Sequence, residues 1–154
     1  MKSVLVVYGT TEGQTRKVAE FIANALKARG VEVDFVDSAT EQAALVQPVY
    51  AAAIACGSLH QHRYQGSLLH FAKRNKTWLS GIPAAFVAVS LTAALKDAQN
   101  RDDLRDITEA FYRETGWTPG ITHHVAGALW DDPTRFVEEF VAAIPLQKTD
   151  HQYG

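Results

Sequence analysis

Residues 4–7, Val-Leu-Val-Val, form an uninterrupted and mostly β-branched run that stops abruptly in Gly9-Thr10-Thr11-Glu12-Gly13-Gln14-Thr15. A strand with one face in water alternates apolar and polar residues, whereas a strand covered on both faces of a parallel sheet is apolar throughout. From Arg16 to Arg29, Val18, Phe21, Ile22, Ala25 and Leu26 recur at helical spacing. Buried strand, small-residue loop and helix therefore follow one another directly, the order of an α/β unit. The start of such a helix offers unpaired N–H groups and the positive end of the helix dipole, which stabilise an anionic phosphate. Threonine hydroxyls add donors, and Gly13 permits close approach and unusual backbone angles. This chemistry favours a terminal phosphomonoester.

Other phosphate loops fit less well. There is no lysine in the GxxxxGK[ST] arrangement of a nucleoside-triphosphate loop and no GxGxxG spacing of a dinucleotide fold. A capped helix with no ligand remains the plain alternative, because Thr and Gly also serve as caps and turn residues.

With 154 residues and 47% hydrophobic content, the chain can bury one core without splitting into domains. The expected division is a domain over residues 1–145 and a polar tail over 146–154. The longest apolar runs, such as Ile82 to Val89, are far shorter than the roughly 20 residues that span a bilayer, so no transmembrane segment is expected. The start, MKSVLVVYGT, has no small-residue cleavage site before the first strand, and a cytoplasmic location is expected. Cys56 is the single cysteine, which excludes an internal disulfide and a thiolate metal cluster, and its place after an apolar run predicts an inert buried thiol. A net charge of -2 with dispersed charges gives no nucleic-acid or polybasic membrane patch. Oligomeric state is not encoded in any pattern of the chain.

The rest of the chain alternates regularly. Gly30 marks a helix end, and Val31 to Val36 alternates as a second strand near an edge. A short helix is expected over Ala43–Val46, a third strand over Val49–Cys56, and a helix over Gly66–Trp78. Ile82–Val89 is a fourth strand, with Pro83 tolerated at its start. Asp102–Glu114 is helical with Gly116 as a stop, Ile121–Leu129 is a fifth strand, and a last helix starts at Asp132-Pro133 and ends at Ile144. Five strands separated by helices predict a parallel sheet covered on both faces.

Ligands of such sheets sit beyond the carboxyl ends of the strands, where strand order reverses. The third strand is followed by Gly57-Ser58-Leu59-His60-Gln61-His62-Arg63-Tyr64, longer than a structural turn needs. Ser90-Leu91-Thr92 follows the fourth strand and Gly127-Ala128-Leu129-Trp130 the fifth. Leu59, Leu91 and Trp130 offer apolar surface for a flat ring, and small-residue loops offer backbone amides for its polar edge. His60 and His62 share a side of an extended segment, yet no third residue has the spacing of a metal ligand. His123 and His124 are adjacent in a strand and point to opposite faces.

YGTTEGQT followed by RKVAEFIANAL resembles the FMN-phosphate loop and first helix of the flavodoxin family, whose pattern is (T/S)-x-T-G-x-T. Thr10, Gly13 and Thr15 match, and Glu12 takes the place of a hydroxyl residue. The resemblance implies a flavodoxin-like three-layer sandwich with a sheet of order 2-1-3-4-5. It also implies FMN held by Thr10, Thr11, Glu12, Gly13, Gln14 and Thr15 at the phosphate. The ring would lie among Ser58, Leu59, His60, Gln61, His62, Tyr64, Ser90, Leu91, Thr92, Gly127, Ala128, Leu129 and Trp130. Glu12 is expected to face solvent or cap the helix start, since its charge repels a phosphate. No catalytic side chain is expected, because the flavin carries the chemistry.

GSLHQHRYQGSLLHFAKRN, IPAAFVAVSL and HHVAGALW are similar to the branch containing the menaquinone-dependent protoporphyrinogen dehydrogenases. That similarity implies an oxidoreductase with a porphyrinogen substrate and a quinone or a redox protein as partner. Two differences stand out. Gln61 occupies a usually aromatic position, and Trp130 runs straight into Asp131-Asp132-Pro133, without the branch's long insertion. Shuttle flavodoxins resemble one another in being strongly acidic, whereas this chain is near neutral with His60, His62 and Arg63 in a flavin loop. Positive charge there favours the reduced flavin anion and a higher two-electron potential. A non-catalytic electron carrier, and a binding domain that kept the fold without FMN, are the alternative readings.

Overall fold

A computed structural model describes residues 3–10, 13–59, 63–90, 98–126 and 134–144. The elements in order are β1 (Ser3–Tyr8), α1 (Gln14–Lys27), β2 (Glu32–Asp37), α2 (Glu41–Ala44), β3 (Ala52–Ser58), α3 (Gly66–Arg74), α4 (Lys76–Leu79), β4 (Ala84–Ser90), α5 (Ala98–Thr115), β5 (Ile121–Ala126) and α6 (Thr134–Ala143). The five strands are parallel and lie in the order β2-β1-β3-β4-β5. Strand order reverses between β1 and β3, so the crevice of a doubly wound sheet opens beyond the carboxyl ends of these two strands.

Alternate residues of each strand feed two separate cores. Val4, Val6, Ile54, Cys56 and Val87 pack under α1 and α6 against Ile22, Leu26, Phe136 and Phe140. Leu5, Val7, Ala55, Phe86 and Ala88 pack on the other face against Leu68, Phe71, Phe111 and Trp117. Double coverage is why Val4–Val7 has no polar interruption. By contrast Glu32 and Asp34 on the edge strand β2 are exposed, which gives that strand its alternation. Cys56 is fully buried and burial pushes its thiol pKa well up, so the sulfur is a core atom.

Several boundaries differ from expectation for local reasons. The helix expected over Gly66–Trp78 is broken at Asn75, whose Nδ2 donates to the Phe71 carbonyl at 2.9 Å while Oδ1 accepts from Trp78 Nε1 at 2.8 Å. These side-chain bonds compete with continuation of the helical ladder. β3 starts at Ala52, because Val49 is 68% exposed in a turn closed from its own N–H to the Gln47 carbonyl. β4 starts after Pro83, which has no N–H to donate but accepts from the Ala53 N–H through its carbonyl at 3.1 Å. α2 is a single turn that starts two residues earlier than expected, and α5 extends to Ala98 at its N-terminal end. The expected continuation of the fifth strand to Leu129, the Asp132-Pro133 helix start and the 146–154 tail lie outside the described residues. No helix among the described residues is long and apolar enough to cross a membrane.

Candidate functional site at the strand ends

Past the end of β1, the Gly9 N–H still donates to the Cys56 carbonyl at 2.9 Å, which holds the loop against β3. Thr10 Oγ1 then accepts the Gly13 N–H at 2.7 Å, closing a tight loop before α1. Gly13 sits at φ 86°, in the left-handed region, and a Cβ there would touch nothing within 4 Å. Backbone conformation rather than crowding is therefore what calls for glycine. In the first turn of α1, Thr15 is completely buried and its Oγ1 has no hydrogen-bond partner. A buried hydroxyl without a partner costs about 1–3 kcal/mol, so such a group points to something that binds there. An anion at this helix start would meet the Thr15 hydroxyl, free N–H groups and the positive end of the dipole together. The residues present thus fit the phosphate expected from the sequence.

The wall opposite is built by the end of β3. Ser58 N–H donates to Gln65 Oε1 at 3.2 Å, and Gln65 Nε2 donates to Ser58 Oγ at 3.0 Å. Gln65 also fills the space above Gly9, where an added Cβ would lie 2.9 Å from the Gln65 Cβ. Gln65 thus joins the β1 loop, the β3 end and the start of α3 at the switch point. The sequence reading missed it because glutamine before a helix carries no motif. Its weak preference for the N-cap position was the available signal, and the side chain indeed makes no cap bond.

Thr10, Gly13, Gln14 and Thr15 follow β1, and Ser58 ends the neighbouring strand β3, with Leu59 next to Ser58 and partly buried against the α3/α5 core. Ser90 ends β4, and its buried Oγ lacks a partner, as does buried Nδ1 of His124. His124 pairs with Ala88 in the ladder, so by alternation the two side chains share the α5 face of neighbouring strands. His123 points the other way and stacks on Phe136 at 5.2 Å. Burial lowers the pKa of both histidines, with Glu139 opposing the shift at His123 and His123 adding to it at His124.

Tyr64, expected as part of the ring site, is placed in the core instead. It is 6% exposed, its ring meets the edges of Phe86 and Phe111 at 5.0 and 5.3 Å, and its hydroxyl lies 2.6 Å from Thr108 Oγ1. Thr108 donates its own proton to the Leu104 carbonyl at 2.8 Å, so Tyr64 is the donor to Thr108. Burial pushes the Tyr64 pKa up to about 12, and the phenol stays protonated. Tyr64 thereby anchors the loop to α5. Arg63 is exposed and lies 3.9 Å from Glu114, which offsets the positive charge expected there. A shallow groove of about 210 Å³ between α3 and α5 is lined by Arg63, Leu69, Ile107 and Phe111. Thr11, Glu12, His60, Gln61, His62, Leu91, Thr92, Gly127, Ala128, Leu129 and Trp130 lie outside the described residues.

The sequence profile described as "Flavodoxin domain" matches residues 5–152. The chain belongs to the flavodoxin domain family. The protoporphyrinogen IX dehydrogenase (quinone) of Leishmania major is 28% identical over 154 residues, covering 95% of this chain and 64% of that protein. The enzyme of the same name from Escherichia coli strain K12 is 26% identical over 143 residues, covering 93% of this chain and 78% of its own length. This flavodoxin-like chain thus spans 64% of the length of the first of these dehydrogenases and 78% of the second. Among solved structures, a cysteine-to-serine mutant of flavodoxin from Pseudomonas aeruginosa superposes with a TM-score of 0.66 at 18% identity, covering 94% of this chain and 99% of that one. The flavodoxin-like fold and the sheet order expected from the sequence are therefore both observed.

Proposed function

We propose that this protein is an FMN-dependent oxidoreductase that removes hydrogen from a porphyrinogen and delivers the electrons to a quinone. The observation that carries the FMN assignment is the buried, unpartnered Thr15 hydroxyl in the first turn of α1, beside the left-handed Gly13. A phosphate dianion satisfies that hydroxyl and the first N–H groups of the helix at once. Thr10 closes the loop onto the Gly13 N–H, and Ser58 ends the neighbouring strand β3. When bound, FMN accepts and releases the electrons, and the protein holds the ring and sets its potential. The porphyrinogen and quinone assignments are supported by the two dehydrogenases and by the near-neutral charge of the chain.

A second reading, a non-catalytic electron carrier, is favoured by one observation: Trp130 runs straight into Asp131-Asp132-Pro133, without the long insertion of the protoporphyrinogen dehydrogenase branch. One assay separates the two. Purified protein loaded with FMN is mixed with protoporphyrinogen and a menaquinone analogue, and porphyrin fluorescence is followed in the absence of oxygen. Quinone-dependent porphyrin formation by catalytic turnover is expected. FMN bound at full occupancy without turnover supports the carrier, and a colourless protein that added FMN does not restore supports a binding domain without cofactor.

A further inference from the structure

We infer that Gln65 is a positioning residue that presets the Ser58 hydroxyl as a hydrogen-bond donor to the phosphate of the cofactor; the inference rests on the FMN reading above. A backbone N–H can only donate, so the amide atom facing Ser58 N must be the Gln65 oxygen. That fixes the other end of the amide as –NH2, and it faces Ser58 Oγ at 3.0 Å. Ser58 Oγ therefore accepts from Gln65, and its own proton is directed elsewhere. The crevice beside it holds Gly9 and the start of the loop to α1, and a Cβ on Gly9 would lie 3.2 Å from Gln65 Oε1. Gln65 is thus wedged against the floor of this crevice, so the amide cannot swing away without opening the contact between the β1 loop and the start of α3.

The same two bonds tie Ser58 to Gln65 across the base of the β3–α3 loop. A purely structural tie would stabilise this loop and affect any flavin alike. A tie that orients one hydroxyl toward an anion acts on the phosphate alone, and that difference is measurable. Riboflavin has the same ring and ribityl chain as FMN and no phosphate.

The test compares affinities for FMN and riboflavin by quenching of flavin fluorescence, in the wild-type full chain, Ser58→Ala, Gln65→Met and the double variant. Gln65→Met keeps the volume above Gly9 and removes the two side-chain hydrogen bonds to Ser58. Ser58→Ala is expected to lower the preference for FMN over riboflavin about tenfold, the lower end of the range for a bond to a charged group. Gln65→Met is expected to lower it several-fold, and the double variant no further than Ser58→Ala alone. Equal loss of both flavins in Gln65→Met, or additive losses in the double variant, would overturn the positioning role. Gln65→Glu guards against a folding failure. It keeps the acceptor for Ser58 N–H but draws the Ser58 proton toward the new carboxylate, so the preference for FMN falls with thermal stability retained. An unchanged preference in Gln65→Glu overturns the inference as well. A wild-type protein that binds both flavins equally, or neither, instead refutes the phosphate-loop reading, and is distinguished by needing no variant.

Discussion

Thr15 illustrates how one buried hydroxyl can serve two opposed ends. Without an anion it is a desolvated polar group with no partner, and with one it becomes a charge-assisted donor. Thr15→Val keeps the shape and removes the hydroxyl. The apo form is expected to gain about 1 kcal/mol or somewhat more, because an unsatisfied buried group is removed. FMN binding is expected to weaken by about 1.5–3 kcal/mol, the worth of a hydrogen bond to a charged group. Urea denaturation of the apo protein and flavin titration measure the two effects, and loss of apo stability together with unchanged affinity would remove Thr15 from the site. Gly13 was legible because its spacing after the strand is part of a pattern. Gln65 was not, because what it does depends on Ser58 and Gly9, which only the folded chain brings to it.

At the level of the element, β5 carries His123 and His124 side by side on opposite faces of a sheet edge. Burial lowers both pKa values below the ordinary 6.5, so the native state binds these protons less readily than the unfolded chain. Their contribution to stability is full above pH 6.5 and is lost as the pH falls from there toward the lowered native values. Chemical denaturation is therefore expected to show wild-type stability falling between neutral and mildly acid pH. The fall is expected to be smaller in a variant with His123→Phe and His124→Gln, where phenylalanine keeps the stacking on Phe136. An identical slope in both proteins would show that the histidines are not responsible. Most element types were readable from periodicity, since the pattern of buried residues repeats whatever the partner. Their ends were less so: Asn75 breaks a helix through bonds to Phe71 and Trp78, and Val49 leaves a strand for a turn.

For the molecule as a whole, a net charge of -2 is small for 154 residues. Electrostatic steering needs a concentrated field of one sign. Electron exchange with a quinone is accordingly expected to change little between low and physiological salt, measured by stopped flow. A steep fall with salt would favour docking to a charged protein partner. Arg63 beside Glu114 is exposed, and an exposed pair contributes about 0–1 kcal/mol to stability.

The α/β class and the family were legible in the linear chain, because each rests on local patterns that survive in any fold that buries them. The order of the strands was available through family resemblance. Which side chains meet at the crevice was decided by the tertiary structure. Tyr64, read as a ring wall, turns into the core to bond Thr108, 44 residues away in the chain, and Gln65 closes on Ser58 and Gly9. Such contacts depend on how three elements converge, and local periodicity carries no record of that convergence.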